Sequence, residues 1–292
     1  MNPWIEALRL RTLPVSAAGV LTGAGCAAYI GGFRWLPFCL CLLFALLAQI
    51  VSNLANEYFD FKNGLDRKGR EGFRRGVAEG DISASAMLRA VILTLILACI
   101  VGCCLIFWGG WWLMLIGLAV AVFALAYSAG PYPLSHHGLG DIAVLIFFGI
   151  IPVCLTSWLS SGSTDLLWQL TFPLSVAIGL MGVNVLIVNN YRDIDEDRAV
   201  NKRTTAVIFG PSAIRTLYFI NGIIAIGIII WVTIGRASLI WQAGSLLYAN
   251  IHFILWTKIK YSLGSQLNPI LGKTAMLLFG VSLWLLLLLS LN

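Results

Sequence analysis

Residues 36–60 read LPFCLCLLFALLAQIVSNLANEYFD, an apolar run that turns polar over its last two turns. Its apolar part, about 36–58, has the ~20-residue length that crosses a bilayer as a helix. On such a helix Asn53, Asn56, Glu57 and Asp60 stand at i, i+3, i+4 and i+7 and therefore share one face. The segment reads as a spanning helix that carries a stripe of oxygen-bearing side chains where it leaves the membrane.

Working outward, apolar segments near spanning length recur at about 12–31, 36–58, 86–107, 111–128, 139–160, 168–191, 212–234, 237–257 and 271–291. None shows the period-two alternation of a membrane barrel, and lipid offers no partner to open backbone groups, so helices are expected. Composition agrees: 59% of the residues are hydrophobic and 11% charged, whereas a soluble domain carries roughly 25% charged residues. Too few polar side chains are present to cover a soluble surface. The expected fold is all-α, a polytopic integral membrane protein of about nine transmembrane helices forming a single domain over 1–292. The first span is read as uncleaved, since further spans follow it directly. The seven cysteines, Cys26, Cys39, Cys41, Cys99, Cys103, Cys104 and Cys154, lie in apolar runs without metal-site spacing and read as small buried or lipid-facing side chains.

Charge sets the orientation. With the N-terminus inside, all nineteen Lys and Arg except Arg34 and Arg236 fall on the cytoplasmic side, a strong positive-inside bias. The net charge of +6 is accounted for in this way, and no nucleic acid is expected among the partners. The thirteen Asp and Glu, all but Asp165, fall on the same side, although acids contribute little to orientation. Two long charged loops on that side, about 59–85 and 192–211, are where function is to be sought, the first being the better candidate for closing over a substrate.

The sixth apolar segment ends much as the second does. Asn189, Asn190, Asp193 and Asp197 share a face within Asn189-Asn190-Tyr191-Arg192-Asp193-Ile194-Asp195-Glu196-Asp197. Carboxylates about 6 Å apart repel by roughly 3 kcal/mol per pair at an effective dielectric near 20, which a divalent cation relieves. All-oxygen ligation favours Mg²⁺, which takes one or two carboxylates and completes its shell with phosphate oxygens and water. Basic residues stand in or beside the same loops: Arg9, Arg74, Arg75, Arg192, Lys202 and Arg203. Arginine in particular suits the oxygens of a diphosphate. Acids, a hard cation and basic side chains together describe a diphosphate site, and acids alone a cation path.

These motifs resemble the UbiA superfamily of membrane aromatic prenyltransferases. Its NDxxDxxxD-like motif is matched by Asn56-Glu57-Tyr58-Phe59-Asp60 with Asp66 beyond, and its DxxxD motif by Asp193 to Asp197. Glu57 stands where the family usually has Asp, and Gly64 occupies the last acidic position of the short form. Longer strings resemble the menaquinone-pathway branch: Leu8-Arg9-Leu10-Arg11-Thr12-Leu13-Pro14, Ser52 to Tyr58, Tyr127-Ser128-Ala129-Gly130-Pro131-Tyr132-Pro133-Leu134, Gly138-Leu139-Gly140-Asp141, Asn189 to Asp195 and Asn201 to Val207. The likeness runs from about residue 6 to Leu267-Asn268-Pro269. Of the Tyr-Ser pair with a downstream lysine found in several relatives, Tyr127 and Ser128 are present and the lysine is not; His136 or His137 is a candidate for its role.

The resemblance implies helices around a central cavity in a bacterial inner membrane, with the site toward the cytoplasm. It implies a Mg²⁺-dependent transfer of a polyprenyl group from polyprenyl diphosphate to 1,4-dihydroxy-2-naphthoate, with loss of diphosphate and carbon dioxide. Mg²⁺ would be held by Asn56, Asp60, Asp193 and Asp197, with Asp66 and Asn190 in support. Arg9, Arg75, Arg192 and Lys202 would neutralise the diphosphate, near Tyr127 and Ser128. The residues expected to carry catalysis are Asn56, Asp60, Asp193, Asp197 and Lys202. A prenyl transfer to another aromatic acceptor is the alternative, and a cation transporter a remote one, because transporters place ionisable groups near the midplane.

Overall fold

The computed structural model describes residues 2–66, 68, 74–130, 133–236 and 238–291, and all regular structure among them is helical. The main helices are α1 (Leu13–Ile30), α2 (Trp35–Lys62), α3 (Ala84–Gly109), α4 (Leu113–Ala126), α5 (Gly140–Ser161), α6 (Leu167–Arg192), α7 (Thr205–Thr233), α8 (Leu239–Lys260) and α9 (Asn268–Ser290). Short helices Pro3–Leu8, Gly76–Glu79 and Ile194–Ala199 flank them.

Each apolar segment read from the sequence coincides with one of these helices. Among the described residues, seven are long and apolar enough to cross a membrane: α1 with its lead-in from Pro3, α2, α3, α5, α6, α7 and α9 with its lead-in from Gly264. The nine-span expectation thus rests on the other two. Helix α4 has 14 residues, or roughly 21 Å at 1.5 Å per residue, against a hydrocarbon core of ~30 Å. Helix α8 carries Gln242 in its first turn and Asn250 and His252 along its middle. Helix α7 begins earlier than its apolar segment because Gly210, at φ 80° and ψ 170°, breaks it before Pro211. Proline accepts the first position of a helix readily, so the chain restarts there and runs on as the span.

α1 is the pillar of the bundle, packed against α9, α5, α2 and α6 and buried from Val15 to Ala27. Small residues make that possible. A Cβ at Gly23 would lie 2.5 Å from the Val153 carbonyl oxygen and one at Gly19 2.7 Å from that of Phe148, so α5 rests against the α1 backbone. Gly25 does the same for α9, where a Cβ would lie 2.9 Å from Leu286 Cα. In lipid, where helices gain no hydrophobic free energy by meeting, such close backbone approach supplies the dispersion contacts that hold them. α5 itself changes pitch, with a π-helical stretch over Leu145–Ile150. There Gly149 meets Gly179 of α6, and Phe147 and Phe148 line a partly open cavity of about 370 Å³ walled by α2, α3, α4 and α5.

The outer faces are apolar: Leu93, Phe107, Trp111, Leu115, Trp168, Trp231 and Ile240 are exposed. A surface of this kind is stable only against lipid, so the protein is a multi-pass membrane protein.

Candidate active site

The charged end is organised first around Arg9. After Pro3–Leu8 the chain turns through Arg9 in the left-handed region, at φ 49° and ψ 55°, a conformation that non-glycine residues enter only when held there. A buried polar network holds it. The Thr12 hydroxyl donates to the Arg9 carbonyl at 2.9 Å and accepts from Asn53 Nδ2 at 3.0 Å and Gln49 Nε2 at 3.1 Å. Asn53 Nδ2 also donates to the Leu8 carbonyl at 3.0 Å, and Ser16 donates to Gln49 Oε1 at 2.9 Å. The result is that Arg9 Nη2 reaches Asn56 Oδ1 at 2.6 Å. Gln49, Asn53, Asn56 and Asp60 form one stripe of α2, as their spacing requires. The sequence alone assigns no role to Gln49, Thr12 and Ser16; their signal is a polar side chain in or at the edge of an apolar run.

Asn56 joins two elements. Its Nδ2 donates to Asp60 Oδ2 and to Ser128 Oγ, both at 2.9 Å, tying the end of α2 to the turn after α4. Glu57 points elsewhere. It is buried and accepts from the Val77 backbone N–H at 3.1 Å, so it anchors the helix Gly76–Glu79 and does not join the Asn56–Asp60 stripe. Asp66 is buried next to Arg75, whose Nε lies 3.3 Å from its Oδ2. Residues 67 and 69–73 of this loop lie outside the described residues, as do Pro131 and Tyr132 of the string after α4.

The second motif gathers around Arg192. Arg192 grips Asp193 with both arms, Nε to Oδ1 at 2.6 Å and Nη2 to Oδ2 at 2.7 Å, and donates also to Asn189 at 3.1 Å and Asn268 at 2.9 Å. Its guanidinium is therefore turned onto its own motif. Asn190 is buried in the same turn. Asn201, in the left-handed region at φ 56°, folds the chain back so that Lys202 Nζ stands 3.3 Å from Asp197 Oδ1.

Tyr127 lies between the two motifs. Asp141, Asp197 and Asp60 all act electrostatically on its phenol, and Arg9 acts with the opposite sign. The ring packs 5.8 Å from Phe123, which stacks on Phe147 at 4.0 Å; both phenylalanines line the cavity, as do Gln49, Ser52 and Phe148. The acidic and basic end thus adjoins an apolar chamber through Tyr127, Phe123 and Gln49. Beside it, His136 is half-buried, with Nε2 enclosed and without a hydrogen-bond partner. Burial, reinforced by Lys202 and His137, brings its pKa down to about 4, so it is neutral near pH 7. His137 Nδ1 is engaged with the Pro133 carbonyl at 2.9 Å.

The donors of the two motifs are carboxylates and amides, which suits a hard cation. Among the described residues no three Asp, Glu, His or Cys side chains group closely enough to cage an ion. A Mg²⁺ that takes most of its ligands from a diphosphate and water needs no such cage, so the set fits one bound together with its substrate.

Helices packed through glycine around a pillar, with two acid motifs at one mouth of an apolar chamber, define a membrane prenyltransferase fold. The chain belongs to the UbiA prenyltransferase family, whose model matches residues 16–277. It is 40% identical to the 1,4-dihydroxy-2-naphthoate octaprenyltransferase of Escherichia coli (strain K12), over 71% of this chain and 68% of that one. It is 30% identical to the octaprenyltransferase of the same name from Mycobacterium leprae, over 94% of this chain and 91% of that one. In fold it is similar to a UbiA homolog from Aeropyrum pernix K1, with a TM-score of 0.72, 15% identity and coverage of 94% of this chain and 97% of that one. A UbiA homolog from Archaeoglobus fulgidus bound to DMAPP and Mg²⁺ aligns with a TM-score of 0.63 and 15% identity, over 94% of this chain and 98% of that one.

Proposed function

We propose that the protein transfers a polyprenyl group from polyprenyl diphosphate to 1,4-dihydroxy-2-naphthoate, releasing diphosphate and carbon dioxide, with the whole chain acting as one unit. The observation that carries this reading is a juxtaposition. Asp60 and Asp197, distant in sequence, both act on Tyr127, one helical turn from the Phe123 that walls an apolar cavity of about 370 Å³. A diphosphate belongs at the charged mouth and a prenyl chain in the apolar chamber. The names of the bacterial relatives support the naphthoate acceptor.

Bound Mg²⁺ would supply charge stabilisation for the leaving diphosphate without proton transfer. The residues that would hold it are Asn56, Asp60, Asp66, Asn190, Asp193 and Asp197. Arg9, Arg75, Arg192 and Lys202, with Tyr127 and Ser128, would bind the diphosphate oxygens. Arg75, Arg192 and Lys202 each face an acid of these motifs, Asp66, Asp193 and Asp197. A metal diphosphate offers a cation to each acid and an anion to each base, so the pairs can open by exchange and leave no charge buried alone. The chamber walls then keep water from the allylic cation. We place the protein in a bacterial cytoplasmic membrane with this mouth toward the cytoplasm, on the asymmetry of Lys and Arg between the two ends.

The test incubates purified protein with polyprenyl diphosphate, dihydroxynaphthoate and Mg²⁺, following diphosphate release and the prenylated product. Chelating the metal abolishes turnover, and Asp60→Ala or Asp193→Ala lowers kcat by at least about 100-fold, the scale of losing one preorganised electrostatic group. Full activity in both variants overturns the metal assignment. Preference for 4-hydroxybenzoate would change the acceptor and leave the diphosphate chemistry standing.

A further inference from the structure

One half-buried acid at the charged end belongs to neither motif. Asp141 lies in the first turn of α5, and its Oδ1 is enclosed without a hydrogen-bond partner. The Thr205 hydroxyl at the start of α7 lies beside the carboxylate and is likewise enclosed without a well-directed bond. Each is the other's polar neighbour, and a carboxylate served by a single hydroxyl keeps acceptor capacity to spare. Native proteins retain such atoms where something else completes them.

Its neighbours say what that is. Of the three acids acting on the Tyr127 phenol, Asp141 acts most strongly. The preceding residue is Gly140, where a Cβ would lie 3.6 Å from the Tyr127 hydroxyl. In the other direction α5 runs on to Phe147 and Phe148 in the cavity wall. Asp141 therefore stands at the seam between the acidic mouth and the apolar chamber. Among the described residues it differs from three acids of the motifs: Asp66 faces Arg75, Asp193 holds Arg192 and Asp197 faces Lys202, while no base faces Asp141, whose polar neighbour is the Thr205 hydroxyl. A carboxylate oxygen with no cation beside it is suited to accept a hydrogen from a neutral hydroxyl.

We propose that Asp141 receives the hydroxyl of the aromatic acceptor that neighbours the ring carboxylate, holds its proton while the ring is prenylated, and returns it as carbon dioxide leaves. This rests on the prenyl-transfer reading. The O–H bond breaks toward Asp141, and its electron pair closes a ring carbonyl. A ring π pair forms the new C–C bond to the prenyl carbon, whose C–O bond breaks with its pair on the departing diphosphate. The ring then carries a carboxylate β to a ketone. The bond to that carboxylate breaks, its pair restores the aromatic ring, and the ring oxygen takes the proton back from Asp141. Overall the carboxylate anion and the prenyl diphosphate give the prenylated diol, carbon dioxide and diphosphate, with no oxidant and no net proton.

The experiment compares Asp141→Asn and Asp141→Ala with the wild type on dihydroxynaphthoate, on its methyl ether at the hydroxyl next to the carboxylate, and in Mg²⁺-dependent binding of polyprenyl diphosphate. Asn keeps an acceptor oxygen and cannot store a proton, so Asp141→Asn lowers kcat by about 100-fold or more, the usual scale of a positioned base, with KM for the naphthoate changed only a few-fold. Asp141→Ala also raises that KM, and donor binding is unchanged in both. The wild type discriminates strongly against the methyl ether, and Asp141→Ala does not. If Asp141→Ala does not fold, the near-isosteric Asp141→Asn carries the test alone. Wild-type kcat in Asp141→Asn overturns the proposal, as does loss of Mg²⁺-dependent donor binding, which would make Asp141 a metal residue. A wild type that releases no diphosphate with the naphthoate at all overturns the underlying reading instead.

Discussion

Single residues in this protein take their properties from enclosure as much as from type. His136 is one of two adjacent histidines, and the sequence offers either as a base or as a solvated loop residue. The fold encloses it next to Lys202 and His137, and its pKa falls to about 4. That sits below the unfolded value of about 6.5, so as pH falls the unfolded chain takes up the proton first. The stability His136 permits is complete above about pH 6.5 and is lost as pH drops toward its folded pKa. Replacing it by a neutral residue removes this dependence. We expect the unfolding temperature in detergent to fall less between pH 6.5 and 4 for His136→Gln than for the wild type; equal slopes would refute the assignment. Glu57 and Arg192 carry the same lesson. Each lies in a motif, and the structure turns one onto the Val77 N–H and the other onto Asp193 and Asn268.

Helices here are positioned by what their glycines let through. Where Gly149 of α5 meets Gly179 of α6, an added Cβ would also lie 2.6 Å from the Ser175 carbonyl oxygen. No rotamer relieves a clash with backbone. Gly149→Ala is therefore expected to destabilise by roughly 1–3 kcal/mol, the range for overpacking a tight core. Gly280 of α9 has nothing within 4 Å of such a Cβ, and Gly280→Ala should leave stability unchanged or raise it by up to about 1 kcal/mol, the helix-propensity gain. Thermal unfolding of both variants in the same detergent checks the contrast; equal shifts would show that helix propensity and not packing governs. Since α5 carries Asp141 and the cavity-lining Phe147 and Phe148, separating it from α6 would disturb the site as well as the fold.

For the molecule as a whole, orientation is the open geometric quantity, and charge makes a definite prediction about it. Thr164 lies in the turn between α5 and α6, and Asp195, its carboxylate 90% exposed, beside the second motif at the opposite end. In right-side-out vesicles, Thr164→Cys should react with a membrane-impermeant maleimide directly and Asp195→Cys only after permeabilisation. The native thiols Cys39, Cys99, Cys103 and Cys104 are exposed in apolar surroundings, Cys99 and Cys103 also lining the cavity, and should stay slow, because the reagent needs water and a thiolate. The reverse pattern would place the site outside.

The sequence by itself determined the helices, their apolar lengths, the gathering of charge at one end and the two acid stripes. Each of these is a local quantity, fixed by spacing along one helix or by counting between helices. It did not determine that Ser128 would hold Asn56, that Asn268 would hold Arg192, or that Asp141 would adjoin Tyr127 and Thr205. Those pairs join different helices, most of them far apart in the chain, and no periodicity within one segment encodes which face of another it will meet. Glycine contacts between α1, α5, α6 and α9 set those faces, so only the packed bundle decides which acids share a mouth and which one is left to face the substrate.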